Sequence, residues 1–212
     1  MIFSPAMLKT FEECPKKYEF IYVDKVSLPK NKYFFEKGKN IHSLANYFIK
    51  GFDVNKLEQA LTSQELSLWN YLKSTEYFKY QLLKSEYQIS IKLGENWIGG
   101  RLDALIQNNN DYYILDYKTG SIPKNPEYDY QTMIYLLCVD KLIDSYDSLN
   151  FVYLNLKENS NFVINFNSNL KNEYKIRISN TLAKINKYFD INKTIQKNEC
   201  NCEYKKFCNT SV

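Results

Sequence analysis

The chain has 212 residues and a mass of 25.2 kDa, which is enough for one domain with a substantial core. Its 44% hydrophobic and 25% charged residues are typical of a globular protein, and no apolar stretch is long enough to span a bilayer. The net charge of +4 and the pI of about 8.6 permit a polyanionic partner without requiring one.

The first third of the chain is predicted to be mainly helical. Ser4 followed by Pro5 is typical of a helix N-terminus. Apolar residues at helical spacing predict an amphipathic helix over 34–50 and further helix over 64–83. Alternating polarity over 86–93 then predicts a strand that leads into a hairpin.

The hairpin is predicted from two apolar segments, 99–106 and 112–120, which a short polar tract separates. Asn tolerates positive φ, so Asn109 and Asn110 are the natural two-residue turn. That register places three pairs of residues directly opposite each other: Asn108 and Asp111, Asp103 and Asp116, Arg101 and Lys118.

Two opposed carboxylates, Asp103 and Asp116, repel each other unless a divalent cation lies between them. Lys118 is two residues beyond Asp116 and is therefore expected on the same face of the strand. Glu86 reaches this cluster if its strand pairs with the hairpin, and is otherwise a surface residue at a strand start. The alternative for the whole cluster is scattered surface charge on an edge hairpin.

His42 is the only histidine and falls in the predicted helix 34–50. One interpretation is an ordinary helix residue, partly buried or exposed. The other is a neutral imidazole ligand to the metal ion of the acidic cluster. The sequence does not place His42 beside the hairpin, so both interpretations stay open at this stage.

The second half of the chain predicts one helix, a second hairpin and a long closing helix. In the first of these helices, Gln131 and Tyr135 are spaced i, i+4 and share one face. The predicted ranges are 128–143 for that helix, 149–156 and 162–166 for the strands, and 169–188 for the last helix. This order predicts a mixed α/β domain with a small central sheet flanked by helices.

Three cysteines, Cys200, Cys202 and Cys208, lie within nine residues near the end of the chain. The N-terminus lacks the basic segment and apolar run of a signal peptide, so we expect a cytoplasmic protein, with no membrane partner and with reduced cysteines. In a reducing compartment, three closely spaced cysteines favour a zinc or iron–sulfur site, with Cys14 as the best fourth ligand. That site would clamp the two termini together. Cys138 is expected in the core, and the alternative for the cluster is a frayed, reactive tail.

Together these segments resemble the PD-(D/E)XK nucleases, specifically the RecB-like branch. This branch includes CRISPR-associated RecB-like exonucleases and the nuclease modules of the AddAB and RecBCD machines. The resemblance covers nearly the whole chain, and its motifs are the opening helix 4–18, Gly38-x-x-x-His42, Gly100 to Asp103, Asp116 to Gly120, Gln131-x-x-x-Tyr135 and the closing cysteines.

The resemblance implies a single restriction-endonuclease-like domain over 1–212. Within it, residues 1–90 would be mainly helical, residues 86–166 would form the catalytic sheet and helix, and residues 167–212 would form the C-terminal helix and cysteine tail. It also implies a Mg²⁺- or Mn²⁺-dependent DNA nuclease that leaves a 5′-phosphate and a 3′-hydroxyl. The implied metal ligands are His42, Asp103 and Asp116, and Lys118 would lie beside the attacking water. Arg101, Gln131 and Tyr135 would contact or support the DNA strand.

The closing cysteines of the family hold an iron–sulfur cluster. The resemblance therefore further implies a [4Fe-4S] cluster on Cys14, Cys200, Cys202 and Cys208, with zinc as the alternative. One departure concerns Cys200 and Cys202, which a single residue separates where the family usually has two. We expect an exonuclease that prefers single-stranded DNA, in repair, recombination or CRISPR adaptation, with a helicase or CRISPR-adaptation protein as partner. The alternative is a catalytically silent DNA-binding module of a larger complex.

Overall fold

The computed structural model describes residues 1–28, 32–190 and 202–208. After a short first strand that the sequence did not predict, the chain forms helices, then a sheet interrupted by one helix, then a long helix, in the predicted order. The strands are β1 Ile2–Phe3, β2 Gln81–Leu93, β3 Asn96–Asn108, β4 Asp111–Lys118, β5 Ser148–Asn155 and β6 Ser160–Asn165. The α-helices are α1 Pro5–Glu13, α2 Pro15–Tyr18, α3 Lys32–Ile49, α4 Asn55–Gln59, α5 Ser63–Ser74, α6 Tyr130–Leu142, α7 Ser168–Asp190 and α8 Lys205–Cys208.

All six strands join one mixed sheet in the order β1-β3-β4-β5-β6, and β2 also pairs with β3. The β3–β4 and β5–β6 pairs are antiparallel hairpins, whereas β4 and β5 are parallel because α6 connects them. The turn at Asn109, with φ 53°, and the pairing of Asn108 with Asp111 confirm the predicted hairpin.

The β3–β4 ladder is shorter than predicted. It ends at Ala104 opposite Leu115, so the expected pairings of Asp103 with Asp116 and of Arg101 with Lys118 do not form. The physical reason is that the carboxylate of Asp103 accepts the backbone N–H of Tyr117, 2.8 Å away. A side chain therefore takes the place of the next ladder partner, and the two strands separate beyond this point.

Helices cover both faces of the sheet, each with its own apolar core. Side chains of α1, α6 and α7 pack on one face, around Leu8, Met133 and Ile178. Side chains of α3 and α5 pack on the other, around Leu44 and Trp69. No helix in the described ranges is long and apolar enough to cross a membrane. This is the expected mixed α/β domain, with helices on both sides of a central sheet.

The start of β2 differs from the prediction. Helix was expected as far as residue 83, but α5 ends at Ser74 and a 3₁₀ turn over Glu76–Lys79 leads directly into the strand at Gln81. The rings of Tyr77 and Tyr80 pack on Tyr113 of β4, with centroids 5.7 and 5.5 Å apart. These aromatic contacts hold the segment against the sheet, which outweighs its local helical pattern.

The C-terminal segment 202–208 packs against the segment that contains Cys14. Tyr204 stacks on Phe20 with ring centroids 5.9 Å apart. Lys17, three residues after Cys14, forms an ion pair of 3.2 Å with Glu203. The two ends of the chain are therefore adjacent, but the predicted cysteine cluster is not shown, and Cys200 lies outside the described residues. Cys138 is buried in the core, as predicted.

Candidate active site at the diverging strands

The separation of β3 from β4 creates the site. At this point the carboxylate of Asp103 leaves the ladder and uses one oxygen to accept the Tyr117 N–H. Its other oxygen, Oδ1, lies 3.2 Å from His42 Nδ1. Asp103 is thus fixed by two contacts from different elements, and its orientation is set before any ligand binds.

His42 comes from α3 and lies directly at the hairpin, a position that the sequence alone did not provide. Its second ring nitrogen, Nε2, is 2.9 Å from the backbone oxygen of Tyr117. Both nitrogens therefore face acceptors, an arrangement that suits the doubly protonated ring. Burial disfavours that charge, but the hydrogen bond and the charge of Asp103 outweigh it, and the pKa of His42 is raised.

Asp116 lies deeper than Asp103, near the end of β4, and is only 3% exposed. Its Oδ1 accepts a hydrogen bond from Nε2 of Gln131 on α6. The amine of Lys118 is 2.8 Å from its Oδ2 and also donates to Gln131 Oε1, at 3.1 Å. Asp116, Lys118 and Gln131 thus form one closed set of contacts, in which each side chain touches the other two.

The carboxylate of Asp116 is nevertheless poorly compensated. Lys118 is near its Oδ2 but is not aligned as a hydrogen-bond donor, so this buried oxygen has no hydrogen-bond partner. Burial, together with the negative charge of Asp103, raises the pKa of Asp116 from 3.8 to about 6, although Lys118 opposes the shift. Buried polar atoms without partners are rare and are concentrated at functional sites.

Glu86 joins the site from β2. Among the described residues, one group of three potential metal ligands has its ligand atoms all within 4.8 Å of one another, and it consists of His42, Glu86 and Asp103. From the sequence, Glu86 is either a member of this cluster or an ordinary surface residue. The structure shows that β2 does pair with the hairpin and that Glu86 reaches the cluster.

The backbone at this level of the sheet is irregular, which explains why strand alternation alone did not place Glu86. Glu86 has φ 47°, an unusual value for a residue within a strand. On β3, Leu102 and Leu105 both pack in the core under α6, so strict alternation fails around Asp103 as well. Such backbone strain is typically found at functional sites.

The donor set fits a divalent cation. Hard ions such as Mg²⁺ and Mn²⁺ prefer carboxylate and carbonyl oxygens, and a metal-bound imidazole must be neutral. His42 would therefore have to give up a proton and its contact with Asp103 or with Tyr117 before it could bind the ion. Here the buried Oδ2 of Asp116 has the Lys118 amine as a close ion-pair partner but no aligned hydrogen bond. The side chains of Glu86 and Asp103 lie close together with His42, in a group that does not include Asp116. Which of these side chains bind an ion stays a prediction.

The remaining predicted site residues lie around this centre. Arg101 is exposed and forms an ion pair with Glu86, at 3.0 Å between Nε and Oε2. Tyr135 is buried, and its hydroxyl donates to the backbone oxygen of Arg101, 2.8 Å away. The absence of a side chain at Gly100 makes this contact possible, because a Cβ there would lie 2.8 Å from the Tyr135 hydroxyl. In this arrangement Tyr135 supports β3, and its contact with DNA stays a prediction.

Comparison with known families gives a match over most of the chain. The model of the PD-(D/E)XK nuclease superfamily matches residues 54–209. The matched range includes Glu86, Asp103, Asp116, Lys118 and Gln131, and it begins after His42.

Two individual proteins are similar to this chain. Over 80 residues it is 34% identical to the RecBCD enzyme subunit RecB of Borreliella burgdorferi, a match that covers 31% of this chain and 7% of that protein. A crystal structure of a "putative exonuclease" from Eubacterium rectale superimposes with a TM-score of 0.57 and 12% identity, covering 100% of this chain and 94% of the other. At this identity the second likeness shows the fold, and it agrees with the predicted restriction-endonuclease-like architecture.

The raised pKa of Asp116 predicts how pH affects the stability of the metal-free protein. A carboxyl group that keeps its proton to higher pH when folded stabilises the fold most when it is protonated. As pH rises from about 4 to about 6, wild type should lose about 2 kcal/mol of unfolding free energy relative to Asp116→Asn. Urea denaturation in EDTA across this pH range measures the difference. Parallel pH profiles for the two proteins would contradict it.

Proposed function

This chain belongs to the PD-(D/E)XK nuclease superfamily, and we propose that it is a metal-dependent deoxyribonuclease that hydrolyses phosphodiester bonds. The observation that carries the proposal is the closed set of Asp116, Lys118 and Gln131 beside His42 and Asp103. A module that only binds DNA needs positive charge at its surface. It does not need a buried carboxylate in contact with a lysine, so the geometry favours cleavage over the silent alternative.

His42, Asp103 and Asp116 are the residues that we propose as metal ligands, and Glu86 is a fourth candidate. A Mg²⁺ or Mn²⁺ ion bound there would act as a Lewis acid on the scissile phosphate and lower the pKa of water. Lys118 has its amine held between Asp116 and Gln131, so it is positioned to orient the attacking water or to stabilise charge on the phosphate. Gln131 fixes both partners from α6 and is therefore a positioning residue.

We further propose DNA as the substrate, with attack from an end and a preference for single strands. The match to a segment of a RecBCD enzyme subunit supports a role in DNA repair or recombination, with CRISPR adaptation as the other pathway that the motifs favour. The same match to one subunit of a multi-subunit enzyme also favours a partner protein, such as a helicase or a CRISPR-adaptation protein. The match spans 7% of the length of that subunit.

The cysteines form a separate proposal, a [4Fe-4S] cluster held by Cys14, Cys200, Cys202 and Cys208, with zinc as the alternative. Its support is the contact between the two ends of the chain. Cys14 is buried at the start of α2, and the segment that carries Cys202 and Cys208 packs on the residues that follow it. Such a cluster would lock this contact, since a metal group that binds only the folded chain adds its binding free energy to stability.

The catalytic proposal predicts that Lys118→Ala reduces the cleavage rate by about 10²–10³-fold, because one charged group at the reacting phosphate is lost. The assay is digestion of labelled single-stranded DNA with Mn²⁺, and EDTA should abolish it. Linear DNA should be degraded and circular DNA spared if attack starts at an end. The matched control is Lys141→Ala, which removes an exposed lysine from the last turn of α6 and should leave the rate unchanged. Cleavage by Lys118→Ala at more than a tenth of the wild-type rate would rule out the proposed role.

The cysteine proposal predicts a visible absorbance band in protein purified without oxygen, together with bound iron and sulfide. Cys14→Ser should lose the band, whereas Cys138→Ala should keep it because Cys138 is a core residue of α6. Colourless protein with one zinc ion per chain would show that the four cysteines bind zinc and not an iron–sulfur cluster. Protein that carries neither metal, from cells supplied with both, would refute the site.

A further inference from the structure

The β2–β3 hairpin extends well past the point where β3 leaves β4. Over residues 96–102, β3 pairs with β2 and with the short β1, and its ladder with β4 has already ended. One face of this extension is closed, because Ile89, Ile98 and Leu102 pack in the core with α1 and α6. The residues between them point to the opposite face.

The two ends of that opposite face are open to solvent, and Gly99 in its middle row is buried. Three directly paired rows of residues form it, and we call this set the open face: Gln88 with Arg101, Ser90 with Gly99, and Lys92 with Trp97. Trp97 is 46% exposed, and Gln88 and Arg101 are exposed as well, while Lys92 keeps about half of its side chain in solvent. An exposed aromatic ring with one cation beside it and a second cation on the same face is a combination that favours nucleic-acid binding.

The shape of the open face suits an extended ligand. Arg101 is four positions after Trp97, a distance of about 13 Å along β3. The row between them is low, since Ser90 is small and Gly99 has no side chain. A Cβ at Gly99 would lie 2.2 Å from the backbone oxygen of Ile89, so close strand packing excludes any other residue there. The face is thus a shallow trough with an aromatic ring at one end and a guanidinium at the other.

The trough is continuous with the candidate active site. Arg101, at its inner end, contacts Glu86 at 3.0 Å, and Glu86 belongs to the group that includes His42 and Asp103. Trp97 lies at the outer end, six residues of β3 away from Asp103. A strand of nucleic acid whose scissile phosphate reaches the acidic site would therefore pass over the open face as it continues outward.

We propose that the open face binds the single-stranded segment of DNA next to the bond that is cleaved, with a base stacked on Trp97 and backbone phosphates on Arg101 and Lys92. This inference rests on the proposed nuclease function and adds the residues that hold the substrate. Single strands are favoured because a stacking ring needs an exposed base face, which an intact duplex does not offer. Lys92 also has Glu95 at 3.5 Å, but both side chains are at least half exposed, so that contact is weak and a phosphate competes with it.

The two tryptophans of the chain allow a direct test on the wild-type protein. Trp69, on α5, is fully buried in the core, whereas Trp97 is on the open face. A ligand that stacks on the open face therefore quenches Trp97 and leaves Trp69 unaffected. The titration uses a short oligo-dT strand in EDTA, which prevents cleavage, with tryptophan excited selectively over tyrosine. We expect saturable quenching that Trp97→Phe removes while affinity, measured with a labelled strand, stays within a few-fold.

Truncation gives the second measurement. Trp97→Ala should weaken binding of the labelled strand by about tenfold, the size of one lost stacking contact. Phe162→Ala is the matched control, because Phe162 is an aromatic residue of similar exposure, 45%, on β6 at the far edge of the sheet. For the charge, Arg101→Ala should weaken binding and Arg177→Ala, the other arginine of the chain, should not.

The outcomes separate this inference from the nuclease proposal. Suppose that wild type digests DNA with Mn²⁺, but oligo-dT does not quench Trp97 and Trp97→Ala binds DNA normally. The open face then does not bind the substrate strand, and the nuclease proposal is unaffected. If a closed circular duplex, which has no exposed terminal base pair, quenches Trp97 as strongly as the single strand at the same nucleotide concentration, the single-strand assignment is wrong. If neither digestion nor binding occurs, both proposals fail.

Discussion

The central constraint in this structure is the burial of one carboxylate, Asp116, near a second one, Asp103. Taking a charge out of water is costly unless partners replace the solvent. Here Gln131 satisfies one oxygen and Lys118 provides the opposite charge, but the second oxygen has no aligned donor and Asp103 adds a like charge nearby. A fold selected only for stability would avoid this arrangement, and a site that must attract a divalent cation benefits from it.

The same chemistry shapes the sheet around the site. Asp103 replaces a ladder partner by accepting the Tyr117 N–H, and the separation of β3 from β4 leaves space for His42 of α3. Tyr135 holds the diverging end of β3 through the backbone oxygen of Arg101, and Gly100 provides the room for its ring. Gln131 and Tyr135 lie one turn apart on α6, so a single helix face supports both strands of the site.

Much of this could be predicted from the sequence, and the failures have identifiable causes. The hairpin and its turn followed from local signals, namely two apolar segments and the Asn pair. The end of the ladder did not, because a side chain competes with the backbone at Asp103, and no periodicity encodes that competition. Glu86 stayed undecided because its backbone leaves the regular strand conformation, so counting alternate residues gave no direction for its side chain. His42 was placed by tertiary packing of α3, and the start of β2 by aromatic contacts with Tyr113.

The account depends most on the claim that the side chains of His42, Asp103 and Asp116 together bind one divalent ion. Titration calorimetry with Mn²⁺ on the metal-free protein tests it directly, with Asp103→Asn and Asp116→Asn for comparison. The account predicts a saturable site in the wild type that each substitution weakens severely while the fold is retained. Equal Mn²⁺ binding by wild type and both variants would contradict it.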